Sequence, residues 1–226
     1  MPKYAELKHG NHALETRNYK IGHNRLHRIN NIFSLSVSFA LAQGGWEIMF
    51  KEERDYNKFA WQDLGDLGKG RPNLGLNTPV LVYRLLQYTL RDVLITEVGV
   101  DKANDIFIKA GKLAGAQFCE NLLNRKLGFN EFIAQLQKIL REQAIGILRI
   151  EKADLENMTF TLTVEEDLDC SGLPFTDEVV CQYDEGFISG ILEAYTGKPF
   201  YAKEIDCWAS GDRVCRFDVR KVKVDK

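Results

Sequence analysis

The sequence predicts an α+β fold in which a helical N-terminal half packs on an antiparallel sheet. Apolar residues recur with the 3.6-residue period of a helix from about residue 80 to residue 140. After residue 145 the period changes to two, which is typical of strands. A helical segment from Asp184 to Gly197 divides the strand-like part. The C-terminal half is therefore predicted to be a β-β-α-β-β unit.

Three helices are predicted in the first half. The first has Pro79 in its opening turn. Its apolar face consists of Val82, Leu85, Leu86, Val93 and Leu94. A second helix runs from about Asp101 to Leu123 and contains Gly111 and Gly115. Small residues at this spacing let another backbone approach closely, and a ligand lying against the helix is the alternative. The third helix begins near Asn130.

Two hairpins are predicted in the second half. The segments "AIGILRIEKAD" and "NMTFTLTVEED" form the first, and four apolar residues of the second segment alternate with polar ones: Met158, Phe160, Leu162 and Val164. The last hairpin turns at Gly211. A loop centred there places Cys207 opposite Cys215, where Cβ atoms are roughly 4.5–5.5 Å apart.

Composition excludes several classes of protein. A net charge of −2 and an isoelectric point near 6.1 argue against a nucleic-acid partner, which requires a basic face. No apolar run approaches the roughly 18 residues of a transmembrane segment, and the start "MPKYAELKHGNH" lacks the layout of a signal peptide. We therefore expect a protein that is either cytoplasmic or peripheral on the cytoplasmic side of a membrane. Cysteines are kept reduced there, which favours metal ligation or burial over disulfides.

The chain is expected to comprise an N-terminal extension over residues 1–65, with a role in dimerisation, and a small-molecule-binding domain over residues 66–226. Within the extension, "IFSLSVSFAL" alternates like a strand. All four histidines are in it, and solvated polar residues are the favoured interpretation over a metal site: His9, His12, His23 and His27. The segment "LGDLGKGRPNLGLNTP" is predicted to be a loop, and it lacks the strand and GxGxxG order of a dinucleotide site.

Four of the five cysteines lie in the C-terminal part of the chain: Cys170, Cys181, Cys207 and Cys215. Cys181 precedes a helix, where unpaired backbone N–H groups and the helix dipole favour a thiolate. Zinc in a closed structural site takes four ligands of this type. The spacings match no common zinc finger, so separate buried cysteines are the alternative.

The segment "VCQYDEGFISGILEAYTGKPFYAKEIDCWASGDRVCRFDV" resembles the C-terminal signature of the 4-vinyl reductase domain family, also described as hydrocarbon-binding domains. The pattern is a cysteine, a glycine-punctuated helix ending in "TGK", and then Glu, Cys, a Gly-Asp turn and Cys-x-Phe. Upstream, "RPNLGLNTPVLVYRLLQY" and "AGKLAGAQF" resemble the family's N-terminal helices, so the resemblance covers about residues 70–220. It implies a fold related to subunits of vesicle-tethering complexes, frequent dimers and an internal apolar pocket.

The family includes sensor modules of aromatic-responsive transcription activators and a protein linked to vinyl reduction in bacteriochlorophyll synthesis. In the sensor modules, three cysteines and a glutamate hold a structural zinc ion. The resemblance matches the cysteines to Cys181, Cys207 and Cys215. For the fourth ligand, Cys170, Glu165 and Glu166 compete, and we place Cys170 in the predicted zinc set.

The sequence offers no nucleophile–base pair and no cofactor loop, which favours a binding module over an enzyme. We expect a homodimer with an apolar pocket between the helical half and the sheet. Its ligand would be a hydrophobic small molecule, aromatic, hydrocarbon or tetrapyrrole-like, and the protein a sensor, carrier or assembly factor. The alternative is an enzyme or enzyme accessory in vinyl reduction of a chlorophyll-type tetrapyrrole. Eight residues are candidates for the pocket, with core packing as the competing interpretation: Tyr83, Phe107, Gly111, Phe118, Phe160, Phe187, Tyr195 and Trp208.

Overall fold

A computed structural model describes residues 59–223, and the structural statements below concern these residues. The helices are α1 (Leu67–Gly70), α2 (Val80–Val98), α3 (Val100–Leu122), α4 (Phe129–Glu142) and α5 (Gln182–Thr196). The strands are β1 (Ile147–Asp154), β2 (Thr159–Glu165), β3 (Phe200–Asp206) and β4 (Cys215–Lys221). The predicted α+β class and the β-β-α-β-β order are confirmed. Within the described range, no helix has the length and apolar character to cross a membrane.

The four strands form one antiparallel sheet in the order β1-β2-β4-β3. The central strands β2 and β4 carry the alternation that the sequence shows. Three residues of each are buried, namely Phe160, Leu162 and Val164 in β2 and Cys215, Phe217 and Val219 in β4. Helix α4 packs on β1 and α5 packs on β3, so the apolar core lies between these helices and the sheet.

Helices α3 and α5 cross in backbone contact at four glycines. A Cβ atom at Gly111 would overlap the carbonyl oxygen of Tyr183, and one at Gly115 would overlap that of Phe187. Seen from α5, a Cβ atom at Gly186 or Gly190 would overlap carbonyl oxygens of α3. The predicted role of Gly111 and Gly115, close approach of another backbone, is confirmed, and the approaching backbone is α5.

The apolar face of α2 points outward, against the usual pattern for an amphipathic helix. Its large side chains are exposed: Leu81, Val82, Leu85, Leu86, Leu90 and Val93. The polar side of the helix, which includes Arg84 and the buried Gln87, packs inward. The cause is a set of hydrogen bonds from this polar side to residues 167–171, described below. We call the exposed set the α2 apolar face.

The described chain begins with a 3-10 turn, Trp61–Leu64, whose Trp61 N–H donates to Gln117 Oε1 of α3 at 3.0 Å. The glycine-rich segment predicted as a loop contains one helical turn, α1, because the Asp66 carboxylate accepts the Lys69 N–H at 2.9 Å and caps it. The predicted strand over "IFSLSVSFAL", the four histidines and residues 1–58 of the extension lie outside the described residues.

Candidate functional site: a four-cysteine centre beside an apolar cavity

Four cysteine side chains converge at one end of the sheet. Cys181 is the residue before the first turn of α5, and Cys170 lies in the connection from β2 to α5. Cys207 directly follows β3, and Cys215 opens β4. All four are buried, with at most 1% of each exposed. Each Sγ atom lies within 4.8 Å of the other three.

The Sγ separations suit a single tetrahedral ion. Cys181 Sγ lies 3.9 Å from that of Cys207 and 3.8 Å from that of Cys215. Zinc–sulfur distances of about 2.3 Å place the sulfurs of a tetrahedron roughly 3.8 Å apart. Cys170 Sγ is closer to Cys215 Sγ, at 3.0 Å, which is still well beyond the roughly 2.05 Å of a disulfide bond. The four residues are free thiols arranged like a closed metal site.

The last hairpin brings two of these thiols together through its register. Asp206 pairs with Arg216, and the same register carried one residue further sets Cys207 opposite Cys215. The hairpin then closes through the 3-10 turn Trp208–Ser210, and Gly211 adopts a positive φ of 106°. Glycine tolerates this conformation at little cost.

Asp167 positions the fourth thiol. Its Oδ1 accepts the N–H groups of Asp169 at 2.8 Å and Cys170 at 3.1 Å, which folds residues 167–171 into a tight loop. We call this segment the cysteine loop. Glu165 instead forms an ion pair with Arg149 at 2.9 Å, and Glu166 is exposed. Of the three residues that compete for the fourth position, the structure brings Cys170 to the other cysteines.

Glu204 supports Cys181 from β3, and the sequence analysis did not include it among the site residues. Its Oε2 accepts the Cys181 N–H at 3.1 Å, while its Oε1 is buried without a hydrogen-bond partner in the described chain. Burial raises the pKa of this carboxyl to about 8. Its signal in the sequence is an acidic residue at an inward position of a strand, three residues before Cys207.

The polar side of α2 is hydrogen-bonded to the cysteine loop. Arg84 Nε donates to the Leu168 carbonyl at 2.8 Å, and its Nη2 donates to that of Ser171 at 2.9 Å. The Asp169 carboxylate accepts from the hydroxyl of Tyr83 and the amide of Gln87, each at 2.7 Å. Because buried polar groups need partners, these bonds hold the polar side of α2 inward.

An apolar cavity of about 50 Å³ adjoins the cysteine centre between α4, α5, β1 and β2. Its wall is formed largely by branched aliphatic side chains, among them Ile133, Leu136, Leu148, Leu162, Ile188 and Ile191. Among the described residues, the only ionisable ones that line it are Asp167 and Asp184. Burial, followed by the neighbouring Asp169, raises the pKa of Asp167 to about 7. Burial and then Asp167 raise the pKa of Asp184 well above its usual value.

Two of the eight predicted pocket residues, Phe160 and Phe187, line this cavity. Most of the aliphatic lining was predicted only as the buried stripes of α4 and α5, because core and pocket positions share one period. A void between two such stripes leaves no signal in a single sequence.

The other six predicted pocket residues lie outside the cavity wall. Phe118 packs edge-on against Phe187 with centroids 5.2 Å apart, and Tyr195 stacks on Phe132 at 3.8 Å. The remaining four contact other parts of the chain: Tyr83 binds Asp169, Phe107 lies under Arg91, Gly111 is covered by α5, and Trp208 donates to the Leu173 carbonyl. Their surroundings are those of core and inter-element contacts.

Residues 160–221 match the family model of the 4-vinyl reductase domain. The chain therefore carries a domain of this family, which confirms the resemblance seen in its sequence. An uncharacterized protein of Methanocaldococcus jannaschii is 29% identical over 150 residues, which span 66% of this chain and 81% of that protein.

Two solved structures share the fold. One is a vinyl-4-reductase family protein from Methanocaldococcus jannaschii, with a TM-score of 0.51 and 16% identity, covering 75% of this chain and 99% of that one. The other is a trafficking protein particle complex subunit 3 from Naegleria fowleri, covalently bound to palmitic acid. It has a TM-score of 0.52 and 13% identity, and the match covers 64% of this chain and 95% of that one. The expected similarity to vesicle-tethering subunits is confirmed at the level of the fold.

Proposed function

We propose that this protein is a binding module for a hydrophobic small molecule and acts as a sensor, carrier or assembly factor without catalysis of its own. The observation that carries the proposal is the apolar cavity between α4, α5 and the sheet of a 4-vinyl reductase domain. Apolar walls with a few polar groups are typical of small-molecule sites. The cavity also adjoins the cysteine loop, which is bonded to α2. A change at the cavity can therefore reach an exposed helix through described contacts.

The size of the cavity limits its ligand. About 50 Å³ exceeds what one water molecule needs, and an apolar cavity of roughly 150 Å³ holds benzene. A short alkyl chain thus requires little adjustment of the wall, and a single aromatic ring requires some lining side chains to change rotamer. A tetrapyrrole is far larger than either, so the cavity favours small-ligand binding over vinyl reduction of a chlorophyll-type substrate.

Filling the cavity tests this function. Ile188 lines the cavity from α5, and Ile188→Phe places a larger side chain there. Isothermal titration calorimetry with 1-hexanol should show binding to the parent protein and at least about tenfold weaker binding to the variant, or about 1.4 kcal/mol. Ile205→Phe is the matched control, because Ile205 is exposed on β3. Equal binding by parent and Ile188→Phe would contradict the proposed site.

We further propose that Cys170, Cys181, Cys207 and Cys215 hold one structural zinc ion. Three properties of the site support it: the Sγ separations, the complete burial of the thiols and the all-thiol donor set. Zinc with four thiolates and no open position has a structural role. The ion would tie the cysteine loop, the start of α5 and the last hairpin to one point.

A homodimer is the third part of the proposal. The α2 apolar face exposes six large aliphatic side chains on one helix, and contiguous apolar patches on soluble proteins commonly mark interaction sites. A second copy is the occupant we propose, since the same face on two chains can pair about a twofold axis. The family that the sequence resembles is often dimeric.

A further inference from the structure

The cavity has one acidic end, and this end restricts which hydrophobic molecule it can hold. Its apolar wall meets Asp167 of the cysteine loop and Asp184 in the first turn of α5. We propose that the ligand is an apolar amine, whose alkyl or aryl body lies in the cavity and whose ammonium group binds these two carboxylates. The inference deepens the binding function proposed above and rests on it.

Asp184 supplies the first argument. Its Oδ2 is inaccessible to solvent and has no hydrogen-bond partner within residues 59–223. Buried polar atoms are almost always hydrogen-bonded, and an orphaned one in a native structure calls for an explanation. An oxygen of this kind at the wall of a cavity can accept a hydrogen bond from a molecule inside it. The missing partner is therefore a donor, as an ammonium group is.

The spacing of the two carboxylates supplies the second argument. One carboxylate oxygen of Asp167 and one of Asp184 lie within 4.8 Å of each other. Charge-assisted N–H···O bonds are about 2.7–2.9 Å long, so a single nitrogen between the two oxygens can bond to both. An ammonium group has three N–H donors and can satisfy both contacts while attached to an alkyl chain.

Charge supplies the third argument. The groups that act most strongly on Asp184 are themselves acidic, and they include Asp167, Asp169 and Glu204. The guanidinium of Arg84 is close to the cysteine loop, but its described hydrogen bonds go to backbone carbonyls. Buried charges require a partner of opposite sign. A cationic head group would supply it, whereas a carboxylate ligand would add like charge.

A head-group series tests the inference directly. n-Hexylamine, 1-hexanol and hexanoate share one chain length and differ in the head group, so their affinities compare the acidic end of the cavity alone. Calorimetry on the full chain near neutral pH should rank the amine at least about tenfold above the alcohol, or 1.4 kcal/mol, and place hexanoate last. Asp184→Asn should remove the preference for the amine while leaving 1-hexanol binding within about threefold of the parent, or 0.7 kcal/mol. Asp218→Asn, at an exposed position of β4, is the matched control and should keep the preference.

The outcomes separate this inference from the function on which it rests. Binding of 1-hexanol as tight as that of the amine, or tighter, would overturn the amine inference and leave the binding function intact. Binding of none of the three compounds would overturn both. If Asp184→Asn does not fold, the ranking of the three head groups by the parent protein still decides the question.

Discussion

Replacing Cys215 with serine should remove zinc and lower the melting temperature together. Cys215 Sγ is close to those of Cys170 and Cys181, at 3.0 Å and 3.8 Å. Serine keeps the size of the side chain but offers a hydroxyl in place of the thiolate that zinc prefers. The remaining three cysteines form an incomplete site, and we expect the ion to be lost.

The size of the effect follows from the loops that the ion closes. Cys170 and Cys215 are 45 residues apart in the sequence, and a crosslink over that length lowers the entropy of the unfolded chain by about 4 kcal/mol in the chain-entropy model. For a domain of this size, 1 kcal/mol corresponds to about 2–4 °C in melting temperature. Metal loss should therefore lower the melting temperature by about 8–16 °C, with folding retained because the core is partly independent of the ion.

Zinc content by elemental analysis and melting by circular dichroism measure both quantities on one sample. Cys119→Ser is the matched control, since Cys119 is equally buried but stands apart from the cluster. It carries the cost of a buried hydroxyl, about 1–3 kcal/mol, without affecting zinc. A chelator should lower the melting temperature of the parent and of Cys119→Ser, and leave Cys215→Ser unchanged.

Two results would refute this reasoning. Structural zinc binds too tightly to be lost in ordinary purification. Less than about 0.1 zinc per chain after expression with added zinc would therefore mean that the four thiols are only packed together. A parent protein whose melting temperature ignores the chelator would mean that the metal does not stabilise the fold.

Three other substitutions test the packing and the surface. Gly115→Ala should destabilise the protein by about 1–3 kcal/mol in urea denaturation, because its Cβ would overlap the Phe187 carbonyl; Gly68→Ala, which meets only ordinary contacts, should not. Arg84→Met should increase hydrogen exchange in the cysteine loop, because three carbonyls lose their donors. Unchanged exchange there would show that α2 does not hold the loop. Leu85→Glu should convert a dimer to a monomer in light scattering, while Leu155→Glu, at another exposed leucine, should not; a monomeric parent would remove the dimer proposal.

The orientation of α2 shows what periodicity can and cannot predict. The pattern of Val82, Leu85 and Leu86 predicted a helix with one apolar face, and the helix is there. Which face turns inward depends on Asp169 and its neighbours, more than 80 residues further along the chain. A single sequence does not show that pairing. The amphipathic pattern therefore located the helix but not its orientation.

The cysteine centre was predictable to a similar depth. Turn chemistry at Gly211 correctly suggested that Cys207 and Cys215 oppose each other, because hairpin register follows from the loop. The choice among Cys170, Glu165 and Glu166 was open, because it depends on how Asp167 folds the cysteine loop. That fold is set by side-chain-to-backbone hydrogen bonds, which follow no period in the sequence.

The glycine contact between α3 and α5 makes the compliance of the cavity one-sided. Where two backbones touch, no side chain remains that could change rotamer and yield. Helix α5 is thus a fixed wall of the cavity on its α3 side. Helix α4 meets β1 through ordinary side chains such as Leu136 and Leu140, which can repack. Any expansion that admits a larger guest must therefore displace α4 or the β1 edge.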